Sequence, residues 1–220
     1  MPSESALRDG NGSSFGLIET FRWEAGSGFV RLERHLARLA ASSAVLGFVY
    51  PEADIRDRLA RIRRDGALRV RLELSATGTI DLAAQPFVPL PADTVWNVRI
   101  AQTQIDSADT LLRHKTTRRG VYDTARAEFS RDDADEVILL NELGEICEGT
   151  ITTIFAERDD GILVTPPLSC GLLAGVLREE LLDQGSATEE TLSPAELPKF
   201  HQIYCGNSLR GLIPTKLQMR

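Results

Sequence analysis

In the stretch "LLRHKTTRRGVYDTARAEF", Leu111 to Phe129, a single lysine stands between a histidine and two threonines, just ahead of a helix-like run. Lysine is usually a solvated charge, but an amine held in a partly apolar site beside other cations has its pKa lowered and becomes a nucleophile. His114, Arg118 and Arg119 are candidate neighbouring cations of Lys115. A second ionisable residue in an unusual setting is Glu148, which opens an apolar strand-like run in "EICEGTITTIF", where an unpaired charge would be costly. Glu142 and Glu145 read instead as exposed acids in a turn. Metal chemistry has little to build on: His35, His114 and His201 are far apart with no H-x-x-x-H or H-E-x-x-H spacing, so the expected metal set is none. Cys147, Cys170 and Cys205 form no C-x-x-C pair, and their odd number fits a reduced compartment.

The chain that must carry these residues has 220 of them, enough for one large domain or two small lobes with a cleft. A composition of 42% apolar and 26% charged residues is that of an ordinary globular protein, neither disordered nor membrane-embedded. No apolar run approaches the roughly 20 residues of a membrane span. The opening "MPSESALRDGNGSS" is polar and lacks a signal peptide's apolar core, so residues 1–14 read as a flexible lead-in and the protein as cytoplasmic. A formal charge of −7 argues against nucleic acid as the main partner and leaves a small molecule as the expected one. The basic run "RLARIRRDG" from Arg58 reads as a solvated helix face.

Periodicity supplies the elements. "FGLIETFRW" reads as a strand followed by the turn "EAGSG". Leu32, Leu36, Leu39, Ser43 and Leu46 recur at three and four, which predicts a helix ending near Gly47. A second helix follows Pro51, with acids in its first turn and arginines toward its end. "ALRVRLELS" alternates strictly and predicts a half-buried antiparallel strand, with "GTIDLAAQ" as its hairpin partner. The three prolines of "QPFVPLPADT" interrupt the pattern and "WNVRIAQ" resumes it. We expect a small N-terminal α+β lobe over 15–105 and a C-terminal α+β lobe over 106–220. The latter holds a meander with turns at "NELG" and "RDDG" and a helix from about Leu172 to Gln184. No internal repeat and no G-x-G-x-x-G occurs, which weakens any dinucleotide reading.

"RHLARL", "HKTTRR", "EICEGTITTIF", "TPPLSCGLLAGVLREEL" and the closing "GNSLRGLIP", taken in this order, resemble the class IV aminotransferases, the fold-type IV pyridoxal phosphate enzymes. The resemblance runs over nearly the whole chain from Phe15. It implies a two-lobed α+β fold like that of D-amino acid aminotransferase, with pyridoxal 5'-phosphate at the lobe junction and a homodimer. It also implies roles for particular residues. Lys115 would bind the cofactor covalently and be the catalytic residue. Glu148 would pair with the pyridine nitrogen, keeping it protonated so that the ring can accept electrons. Arg38 would hold the phosphate with paired hydrogen bonds, and the backbone N–H groups of Val176 and Leu177 would assist from a helix start. Arg31 and Arg34 carry no such assignment and read as solvated. Thr153 and Arg118 depart from the family, standing where many members have asparagine near the ring or at its phenolic oxygen. "NSLRGLIP" further resembles the corresponding segment of aminodeoxychorismate lyases. That likeness implies a lyase making 4-aminobenzoate and pyruvate for folate biosynthesis, with Asn207, Ser208 and Arg210 at the substrate end of the pocket and Thr20 as a further candidate. An aminotransferase acting on branched-chain or other amino acids is the alternative, and a non-catalytic pyridoxal phosphate-binding or interaction protein is the alternative of a different class.

Overall fold

The computed structural model describes residues 15–218, and the expected lead-in over 1–14 lies outside them. Two compact units are formed: one from residues 15–87 with Lys115–Arg118, the other from Val88–His114 with residues 119–218.

The first unit is a four-stranded antiparallel sheet with two helices. Its strands are β1 (Leu17–Glu24), β2 (Gly28–Val30), β3 (Leu68–Leu74) and β4 (Ile80–Pro86), in the order β2-β1-β3-β4. The strict alternation in "LRVRLEL" turns Leu68, Val70, Leu72 and Leu74 inward against Leu17, Phe21 and Trp23 of β1. Helices α1 (Leu32–Leu46) and α2 (Glu52–Ala60) cover that face with Leu36, Leu39, Ile55 and Leu59. Helix α1 stops where expected, because Gly47 takes a left-handed conformation at φ 70° and its N–H returns to the Ser43 carbonyl. The segment after His114 is stitched to the outer end of β1. Thr116 pairs with Leu17, Ile18 N donates to the Lys115 carbonyl at 2.8 Å, and Thr117 N to the Gly16 carbonyl at 2.9 Å.

The second unit is built on an eight-stranded sheet. Its strands are β5 (Trp96–Ile105), β6 (Glu136–Asn141), β7 (Ile146–Gly149), β8 (Thr153–Glu157), β9 (Leu163–Thr165), β10 (Ala187–Glu189), β11 (Gln202–Asn207) and β12 (Gly211–Leu217). The order is β10-β9-β8-β11-β12-β5-β6-β7, and a further pairing of Glu148 with Thr153 joins β7 back to β8. Helices α3 (Gly120–Ala127) and α4 (Val176–Asp183) complete the unit.

Two expectations are corrected here. Strand β5 pairs in parallel with β6 and β12, so residues 88–105 belong to the second unit and the first ends at Phe87, inside the proline-rich interruption. The last long helix starts at Val176, four residues later than expected from Leu172. The cause is local: Gly171 sits at φ 87° and Gly175 is extended at ψ 135°, and neither continues a helix.

Candidate functional site

In the first unit the chemistry gathers between β1 and α1. The inward alternation of Leu17, Phe21 and Trp23 carries Glu19 inward with them, so a carboxylate lies in the core at 1% exposure. Two residues on one face of α1 answer it. Arg38 donates from Nε to Glu19 Oε1 at 2.8 Å and from Nη2 to Oε2 at 2.7 Å, while His35 Nδ1 lies 2.6 Å from Oε2. Burial alone would push the Glu19 carboxyl up. The Arg38 charge and the His35 bond outweigh that and hold it down at about 2. Arg38 is therefore a guanidinium fixed in orientation rather than a waving surface charge.

Thr20 points to the other face of the sheet from Glu19, opposite Arg71 of β3. Arg31, the helix cap, has a left-handed φ of 58°. Lys115 is half-buried, and its backbone is fixed by the bonds to β1 given above. Of the three cations suggested for it, Arg118 stacks on the Phe15 ring at 4.7 Å and Arg119 donates to the Thr150 carbonyl at 2.6 Å. Burial lowers the His114 pKa, so this imidazole is uncharged at neutral pH and is not the cation the sequence suggests.

In the second unit three segments converge: the β7–β8 turn, the start of α4 and the end of β11. Glu148 is buried at 6% exposure, and its Oε1 accepts from the Tyr122 hydroxyl at 2.7 Å and from Leu173 N at 3.3 Å. Burial, then the Glu148 charge, raises the Tyr122 pKa strongly, so the phenol keeps its proton and acts as a donor. Val176 and Leu177 begin α4 on Gly175, with no side-chain cap on the helix start. A Cβ on Gly175 would stand 2.7 Å from Thr153 Oγ1, so only glycine lets the helix start approach β8 this closely. Beside them Gly206 pairs with Thr153 in the β8–β11 ladder.

Asn207, next in line, builds the following turn. Its Oδ1 accepts from Leu209 N at 3.1 Å and Arg210 N at 2.9 Å, and its Nδ2 donates to the Ile151 carbonyl at 3.2 Å. Its amide thus anchors the Leu209 and Arg210 backbone in the turn that carries Ser208, and the Arg210 guanidinium lies 5.9 Å over the Trp96 ring. Glu19, His35 and Tyr122 are not among the residues that the sequence motifs name for this chemistry. The signal for the first two was present: a glutamate at an inward strand position, and a histidine three residues before Arg38 on the same helix face. Tyr122 carried none.

Among the described residues no group of three His, Cys, Asp or Glu side chains could hold a metal ion, and no helix is long and apolar enough to cross a membrane.

Comparison with known proteins gives concordant matches. The sequence model of the family described as amino-transferase class IV matches residues 16–217. A Schizosaccharomyces pombe protein provisionally named aminodeoxychorismate lyase is 31% identical over 186 residues, covering 81% of this chain and 80% of that protein. A crystal structure of a Mesorhizobium loti protein, provisionally named an amino-acid aminotransferase, has a TM-score of 0.88 and 53% identity, covering 93% of this chain and 100% of that one. The 4-amino-4-deoxychorismate lyase of Pseudomonas aeruginosa has a TM-score of 0.77 and 26% identity, covering 92% of this chain and 82% of that one.

Proposed function

The chain belongs to the amino-transferase class IV family, and within it we propose that the protein is a lyase converting 4-amino-4-deoxychorismate to 4-aminobenzoate and pyruvate. It is an enzyme of a pyridoxal 5'-phosphate family, and its residues fit that cofactor. A phosphate suits the uncapped start of α4, where backbone N–H groups and the helix dipole favour an anion and Gly175 keeps the approach clear. A clamped arginine suits the same charge.

In this reading Arg38 and the N–H groups of Val176 and Leu177 hold the phosphate, Glu148 holds the ring nitrogen's proton, and Lys115 Nζ is the covalent attachment. The bound ring supplies an acceptor for the electron pair left when a proton is removed from the substrate carbon that bears nitrogen. Lys115 Nζ is the base that takes this proton. Tyr122 and Leu173 N fix the Glu148 carboxylate so that its charge does not wander. Arg210 supplies a cation for a substrate carboxylate, and Ser208 a hydroxyl beside it.

The observation that carries the lyase over other chemistry of the family is the Asn207 turn, in which one side chain ties the Leu209 and Arg210 backbone, and with it the turn that holds Ser208, to the loop that follows Glu148. The Schizosaccharomyces pombe relative adds support, since it matches over four fifths of both chains. The second reading, an aminotransferase of small amino acids, draws on the provisional name of the 53% identical Mesorhizobium loti protein. Incubation of the holoenzyme with 4-amino-4-deoxychorismate, and separately with an amino acid and a keto acid, distinguishes them. The lyase releases 4-aminobenzoate and pyruvate in equal amounts. Amino-group exchange without either product would replace it with the aminotransferase.

A further inference from the structure

One buried acid takes no part in the chemistry above. Glu136, the first residue of β6, is 1% exposed, and no ion pair to it occurs among the described residues. Arg126 is near enough to feel its charge but spends its hydrogen bonds on the Phe129 and Ala134 carbonyls. A lone buried carboxylate is tolerated only when hydrogen-bond donors surround it, and here five do. Its Oε1 accepts from Val137 N at 2.9 Å, Thr150 N at 3.1 Å and Thr150 Oγ1 at 2.5 Å. Its Oε2 accepts from Ile151 N at 3.1 Å and Thr152 Oγ1 at 3.0 Å.

Four of these donors come from one turn, Gly149 to Thr152, closed by Gly149 N on the Thr152 carbonyl at 2.8 Å. Gly149 is there because a Cβ would stand 3.0 Å from the Glu136 carboxyl carbon and 2.3 Å from Thr152 Oγ1. The turn's two flanking residues are Glu148 and Thr153, which pair with each other. Its carbonyls face outward to other parts of the site: Thr150 O accepts from Arg119 and Ile151 O from Asn207. A single acid thus fixes the donor side of a turn whose ends and acceptor side carry Glu148, Thr153 and the Asn207 anchor.

We infer that Glu136 is a positioning residue for the reaction, setting the Glu148 carboxylate and the Asn207 turn through the Gly149–Thr152 backbone. The inference rests on the cofactor reading given above for Glu148. Replacing Glu136 with glutamine keeps the size but turns an NH2 group toward donors, and the Ile151 N–H cannot rotate away as a hydroxyl can.

The test compares Glu136→Gln with Glu148→Gln by amide hydrogen exchange, by the visible absorbance of bound pyridoxal phosphate against pH, and by turnover in the assay above. For Glu136→Gln we expect exchange at Thr150 and Ile151 to rise, and turnover to fall, by about tenfold to a hundredfold each, as for the loss of bonds to a charged group. The absorbance profile should move in the same direction as in Glu148→Gln. Faster exchange with wild-type turnover and absorbance would make Glu136 a structural residue only and overturn the inference, as would unchanged exchange. If Glu148→Gln proved silent while Glu136→Gln still slowed turnover, the cofactor role of Glu148 would fall and positioning through Asn207 would stand. Should Glu136→Gln not fold, Thr150→Val removes one donor at constant shape. Turnover restored by Thr150→Ser supports the inference, and equal loss in both variants contradicts it.

Discussion

At the scale of single residues, several acids are buried among donors that hold them ionised or hydrogen-bonded. Glu19 is the clearest, because its carboxyl is held at about 2 against a usual value of 4.5. A carboxyl whose folded pKa is depressed stabilises the folded state above the unfolded value and loses that contribution as pH falls through the folded one. Glu19 therefore contributes fully above about pH 4.5 and progressively less toward pH 2. Glu19→Gln removes the partner of a nearly buried Arg38, a change that costs on the order of 3–5 kcal/mol at neutral pH. The gap in unfolding free energy between the variant and the parent protein should narrow as pH falls across that window, as read from urea denaturation at each pH. A gap that stays constant down to pH 2 would mean that Glu19 is not ionised in its pocket.

At the scale of elements, α4 and its glycine decide where the helix N–H groups stand. Gly175→Ala drives a Cβ to 2.7 Å from Thr153 Oγ1, so the helix start must shift outward. Overpacking of this kind costs about 1–3 kcal/mol. The expected outcome is a lower unfolding midpoint together with a raised dissociation constant for pyridoxal phosphate, whereas Gly120→Ala, which meets nothing within 4 Å, should leave both near the parent values. Equal behaviour of the two variants would separate α4 from the cofactor site. The same helix shows where sequence reading reaches its limit. Leucines at three and four places revealed α1, and alternation revealed β3, because both patterns record one buried face. The run "CGLLAGVL" is apolar on all sides, and its periodicity could not reveal that Gly171 and Gly175 hold Leu172 to Ala174 out of the helix. Strand β5 was legible as a strand, but its parallel pairing with β6 and β12 joins residues far apart in the chain, and no local signal assigns it to one unit rather than the other. Of the residues proposed for the cofactor, Lys115, Glu148 and Arg38 are named by the order of motifs alone. Glu136 is not, since nothing in "DADEVILL" tells that its carboxylate meets a turn fourteen residues ahead.

At the scale of the whole molecule, the proposed cofactor attachment selects one lysine among the chain's three, Lys115, Lys199 and Lys216. Lys115 is held within the first unit by backbone bonds to β1, while Lys199 lies in a short helical turn and Lys216 is an exposed residue of β12, both in the second unit. Composition cannot separate them, but the three differ in setting: Lys115 is half-buried and its carbonyl accepts from Ile18 N, whereas Lys199 and Lys216 are exposed. Borohydride reduction of the holoenzyme, followed by peptide mapping, reads the attachment point directly. The expected result is the pyridoxyl group on Lys115 alone, with Lys115→Ala leaving no labelled peptide. A label on Lys199 or Lys216 would contradict it.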